Sequence, residues 1–93
     1  MEKEKLTNLS EIRKEIDELD DEIINLLNKR LECVVETLGK KDKIEDLNRE
    51  FQIIQKLKER AGNTEAERYL TEIYKSIFKE GKRIQENIKN EKK

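Results

Sequence analysis

Almost nothing in this chain of 93 residues stops a helix, since proline is absent and glycine occurs only at Gly39, Gly62 and Gly81. Inside a helix proline costs about 3 kcal/mol and glycine about 1 kcal/mol relative to alanine. A chain so poor in both has few breakers and reads as helix nearly throughout. Apolar residues make up 33% and charged residues 46%, proportions that suit a disordered chain or a long helical assembly. Periodicity decides between the two.

Asn8 caps a first helix with Glu11 at its third position, and apolar residues follow at Leu9, Ile12, Ile16, Leu19, Ile23 and Leu26 in alternating steps of three and four. That is a heptad seam, and its next position is Arg30, a charge where core belongs. Beyond Ile23 the apolar residues broaden to Ile24, Leu27, Leu31, Val34, Val35 and Leu38, as for a helix contacted on several sides. A helix from Asn8 to about Lys41 is roughly 50 Å long, whereas a compact globule of this size has a radius of gyration near 12 Å. A second copy of the chain is the simplest cover for such a rod. The second helix begins near Asp46, buries Leu47, Phe51, Ile54 and Leu57, and stops at Gly62 and Asn63. Thr64 with Glu67 makes a capping box for the third, whose inward stripe is Ala66, Leu70, Ile73, Ile77, Gly81, Ile84 and Ile88. A glycine in that stripe leaves either room for something bound or a place for close helix packing. The expected architecture is all-α: a three-helix chain with a very long first helix, in an intertwined homodimeric helical bundle. It is a single domain, 1–93, with an ordered core over about 8–88 and charged ends that fray.

Charge and residue types exclude several functions. Net charge is −1, from 21 Lys and Arg against 22 Asp and Glu, so no basic excess points to nucleic acid or an acidic membrane surface. No histidine occurs, and the one cysteine, Cys33, lies in an apolar run as a buried structural thiol would. Zinc sites of the usual ligand sets, histidine-based triads and disulfides are thereby removed. No apolar run nears the roughly 20 residues of a membrane span, and Met1 to Lys5 is charged where a signal peptide needs its apolar segment. The expected compartment is the cytoplasm.

The polar residues that remain form a constellation. Arg30 and Lys41 are eleven residues apart and share a helix face, with backbones about 16 Å apart and side chains long enough to converge on one small anion. Asp46, Arg49 and Glu50 fall within one turn at the start of the second helix, and Gln85 offers an amide from the third. Taken singly, each is ordinary surface decoration. Arg30 is harder to dismiss, because a buried charge without a partner is expensive.

The stretch LSEIRKEIDELDDEIINLLNKR from Leu9 to Arg30, then Lys41, Asp46 with Arg49-Glu50, and Gln85, resembles the α-helical chorismate mutase family over nearly the whole chain, Leu9 to Ile88. Members are intertwined dimers of three-helix chains with two equivalent sites and need no cofactor or metal. The resemblance implies the rearrangement of chorismate to prephenate, in aromatic amino acid biosynthesis. It also implies that Arg30, and Arg13 from the other subunit, bind the two substrate carboxylates. Lys41 and Gln85 would hydrogen-bond the ether oxygen, Glu50 and the region of Asp46 the ring hydroxyl, with Arg49 supporting the anionic end. Geometry agrees on one point: Arg13 and Arg30 lie about 25 Å apart along a straight helix, too far to grip one small molecule from one chain. Two departures stand out. Gly81 occupies a place where the family often has a serine near a carboxylate, and the link from Lys41 to Asp46 is about four residues shorter than usual and lacks its proline.

Such a rearrangement is unimolecular and uses no nucleophile, metal or proton relay. It requires a folded conformer of a flexible dianion and stabilisation of the charge growing on the ether oxygen. Two other readings remain open: an isochorismate pyruvate lyase, on a related helical fold with a similar basic site, and a non-catalytic dimeric helical bundle in which Arg30 only pairs with a carboxylate.

Overall fold

The computed structural model describes residues 8–40, 44 and 46–91. Its three helices are α1 (Leu9–Glu36), α2 (Leu47–Ala61) and α3 (Thr64–Glu91), and no strand occurs among the described residues. The chain divides into two compact units, Met1–Glu32 and Cys33–Lys93, and the division falls within α1.

In the first unit, α1 starts as its sequence directs. The Asn8 side-chain oxygen accepts the Glu11 backbone N–H at 2.8 Å, and the Asn8 carbonyl accepts that of Ile12 at 3.2 Å. The apolar seam that follows is uncovered within the chain, with exposure running from 40% at Ile12 to 61% at Leu26. Arg30, at the next seam position, is half-buried. Polarity and burial are thus inverted along this helix: its apolar stripe faces solvent while a cation is partly covered.

The second unit joins the end of α1 to the α2–α3 pair. The helix ends at Glu36, short of the expected Lys41, because the chain tightens before Gly39. The N–H groups of Thr37 and Leu38 bond three residues back, to the Val34 and Val35 carbonyls, each at 3.1 Å. Gly39 then adopts φ +83°, a left-handed conformation that a residue with a Cβ resists. Cys33 is exposed rather than a buried thiol, since the covered side chains of that turn are Val34 and Val35. Lys41 lies outside the described residues.

α2 and α3 pack against each other. Asp46 caps α2 by accepting the Arg49 N–H at 3.0 Å, and Gly62 ends it at φ 91°. The cap of α3 is Asn63, not Thr64: its side-chain oxygen accepts the Ala66 N–H at 2.8 Å and its carbonyl the Glu67 N–H at 2.9 Å. An asparagine one residue upstream satisfies the orphan donors that a threonine at the first helical position cannot reach in the same way. The covered stripe of α2 is Ile53, Ile54, Leu57 and Ala61, rotated from the expected face, so Leu47 and Phe51 are exposed. Leu57, 7% exposed, is the one buried hydrophobic side chain among the described residues. On α3 the expected stripe is half-buried at Ala66, Leu70, Ile77, Gly81, Ile84 and Ile88, while Ile73 is exposed.

The cap assignment makes a direct expectation for stability. Asn63→Ala removes the side-chain acceptor from the first turn of α3 and lowers unfolding free energy by about 1 kcal/mol. Thr64→Ala should leave that free energy nearly unchanged. Urea denaturation of the two variants checks this, and equal losses would restore Thr64 as the cap.

Candidate active site

The second unit brings together residues from three helices. Gln85, 2% exposed, is the most deeply buried polar side chain among the described residues, and its partners lie at the end of α1. Its amide nitrogen donates to the Val34 carbonyl at 2.7 Å and to the Thr37 hydroxyl oxygen at 3.0 Å. The Thr37 hydroxyl in turn donates to the same Val34 carbonyl at 2.7 Å. Val34 supplies one of the last four carbonyls of α1, groups that have no partner of the regular helical kind. Gln85 therefore closes the end of α1 from α3 as well as placing an amide in the interior.

One turn before Gln85, half-buried Gly81 packs near Val34. A Cβ built there would meet Val34 Cγ1 at 3.7 Å, an ordinary contact. Close helix packing therefore does not demand a glycine at this position. A serine Cβ would also fit there, so what the chain lacks relative to its family is a contact rather than space for one.

Elsewhere in the same unit, the half-buried carboxylate of Glu50 meets Lys82 Nζ at 3.1 Å. Lys82 escaped the sequence reading, because it sits on a helix rich in lysine and nothing in the pattern set it apart. Asp46 and Arg49 are joined through the cap of α2, and both residues are exposed. The Asp46 carboxylate thus already has a structural task, in addition to any contact with substrate.

In the first unit, Arg13 is exposed and Arg30 half-buried on one continuous helix. Their separation in sequence corresponds to about 25 Å at 1.5 Å per residue. One chain therefore cannot bring both guanidinium groups to one small molecule. Of the residues expected at the site, the structure groups Gln85 with the end of α1, Glu50 with Lys82, and Asp46 with Arg49. Thr37, which holds Gln85, is a second residue the sequence did not single out, because the expected helix ran through it to Lys41 and no pattern set it apart.

These features define an all-helical chain that buries one side-chain amide against the end of α1. The family described as chorismate mutase type II matches residues 12–86, and the chain belongs to it. Its activity is that of chorismate mutase, an intramolecular isomerase, and its substrate is chorismate. Neither a curated protein sequence nor a solved structure gives a significant match. No helix among the described residues is long and apolar enough to cross a membrane.

The Glu50–Lys82 pair is partly covered on both sides, at 23% and 30% side-chain exposure, and so should couple more strongly than a surface pair. A double-mutant cycle with Glu50→Gln and Lys82→Met should return about 1 kcal/mol of coupling. A value near zero would mean that the pair adds nothing to the unliganded fold.

Proposed function

We propose that the active unit is a homodimer with two equivalent sites, each assembled from both chains. The observation that carries this reading is the uncovered seam of α1, Leu9 to Leu26, on the very helix that bears Arg13 and Arg30. An apolar stripe of that length is unstable in water, and another copy of the same stripe is the cover of matching chemistry and length. The reaction takes place in the cytoplasm.

In each site Arg30 of one chain and the partner subunit's Arg13 hold the two carboxylates of chorismate. Guanidinium forks bind carboxylates in pairs of parallel hydrogen bonds and so fix direction as well as charge. That clamp selects the folded conformer in which the reacting carbons meet. Gln85 and Lys41 donate to the ether oxygen, where negative charge grows as the carbon–oxygen bond breaks. Glu50 accepts from the ring hydroxyl, with Asp46 nearby, and Arg49 supports the anionic end. Gly81 leaves space beside the bound molecule. None of these groups exchanges a proton with substrate. Their work is electrostatic and positional, and it counts only so far as it is stronger in the transition state than in the ground state.

Complementation tests the shared site. Arg13→Ala and Arg30→Ala chains, each nearly inactive, should regain part of the wild-type activity when mixed, unfolded and refolded together, because the mixed dimer rebuilds one intact site of two. Activity is read as loss of chorismate, and mixed dimers are verified by sedimentation and mass spectrometry. Verified mixed dimers without activity would rule out a site built from two chains.

Kinetics separates the donors from the clamp. Gln85→Ala and Lys41→Ala should each lower kcat by about 100 to 1000-fold with a smaller change in KM. Arg30→Ala should damage both, since a carboxylate is gripped before and during reaction. An unchanged kcat in Lys41→Ala would move the donor role to Lys43, the next cation along the shortened link.

A further inference from the structure

If Gln85 is the ether-oxygen donor, the unliganded chain has already committed what it must give. A primary amide has two N–H donors, and here one goes to the Val34 carbonyl and the other to Thr37 Oγ1. The orientation of the amide follows from chemistry. Val34 offers a carbonyl, which only accepts, so the group facing it at 2.7 Å is the nitrogen. The Thr37 hydroxyl spends its single proton on that same carbonyl and can only receive from Gln85. Both donors are thus occupied.

The two bonds are not equally hard to give up. The one to Thr37 is the longer, 3.0 Å against 2.7 Å. If substrate takes over that N–H, no donor is stranded. The Thr37 hydroxyl keeps its bond to Val34, and the Val34 carbonyl keeps the Thr37 N–H, the Thr37 hydroxyl and the other Gln85 N–H. Only an acceptor lone pair on Thr37 is left empty, and that hydroxyl retains a partner through its own proton.

We infer that Thr37 is a positioning residue for this reaction: its hydroxyl stands in for the ether oxygen, holding the second N–H of Gln85 until substrate displaces it. This inference rests on the proposed role of Gln85. Thr37 therefore sets how readily that donor is released, and part of the binding energy of the transition state is spent on the exchange. In Thr37→Val the competing acceptor is gone. The N–H stays aimed by Val34 but has no partner until a ligand arrives.

The test compares wild type with Thr37→Val, Thr37→Ala and Thr37→Ser, each alone and in combination with Gln85→Leu. Three quantities are read: kcat and KM for chorismate, the dissociation constant of a bicyclic dicarboxylate that mimics the transition state, and the melting temperature. Thr37→Val and Thr37→Ala should melt lower than wild type, yet bind the dicarboxylate roughly fivefold to tenfold more tightly, tenfold being about 1.4 kcal/mol, with kcat raised more than KM is changed. Thr37→Ser should return all three toward wild type. In the Gln85→Leu background the same substitutions should leave ligand binding unaltered. Unchanged or weaker binding in both hydroxyl-free variants overturns the inference, as does an equal gain with Gln85→Leu. If Gln85→Leu alone leaves kcat intact, the donor role of Gln85 fails and this inference fails with it. A collapse of kcat in Gln85→Leu without any gain in Thr37→Val or Thr37→Ala defeats the role of Thr37 alone.

Discussion

Three helices hold together only as far as their apolar stripes are covered, and in this chain the cover within one copy is thin. Leu57 alone among the described hydrophobic side chains is buried, while the seam residues of α1 are each at least 40% exposed. Most of the remaining apolar side chains of the second unit are only half-buried. The proposed dimer answers this deficit, and it makes the fold and the site depend on the same surface. Covering the α1 seam would stabilise the chain and also supply the second guanidinium that one chain cannot bring to bear.

Much of this was legible in the residues, because helices announce themselves through local patterns. The start of α1 at Asn8, the start of α2 at Asp46 and the break at Gly62 all rest on caps and on left-handed geometry that a few neighbouring residues determine. Misreadings arose where two neighbouring residues could do the same job or where the answer lay in tertiary contact. Asn63 and Thr64 are both good caps, and sequence order does not say which takes the role. Leu47 and Phe51 sit in register with Ile54, but the packed face of α2 is rotated toward Ile53 and Leu57. The early end of α1 depends on Gly39 turning left-handed, a choice that the helical periodicity through Leu38 masks.

The site divides along the same line. Arg30 stood out because a charge interrupted an apolar repeat, a purely sequential signal. Gln85 entered as an amide offered by the third helix and through the family resemblance, but its partners, Val34 and Thr37, are 51 and 48 residues away in sequence. No local pattern links a turn threonine to an amide on another helix. Lys82 was hidden for the opposite reason. It stands among many lysines, and only its meeting with Glu50 distinguishes it.

Gln85 shows why a chain so short of core keeps a polar side chain in its most buried position. An amide there costs desolvation unless its hydrogen bonds are made, and the end of α1 supplies the acceptors that make them. On the proposed role of Gln85, stability of the free chain and readiness of the donor pull in opposite directions. Acceptors that satisfy the amide without substrate also compete with substrate for it. A chain with a large apolar core could leave such a donor unsatisfied and bear the loss. One with little burial within a single copy has less freedom, so a donor held by a replaceable hydroxyl is a compromise that its small core favours.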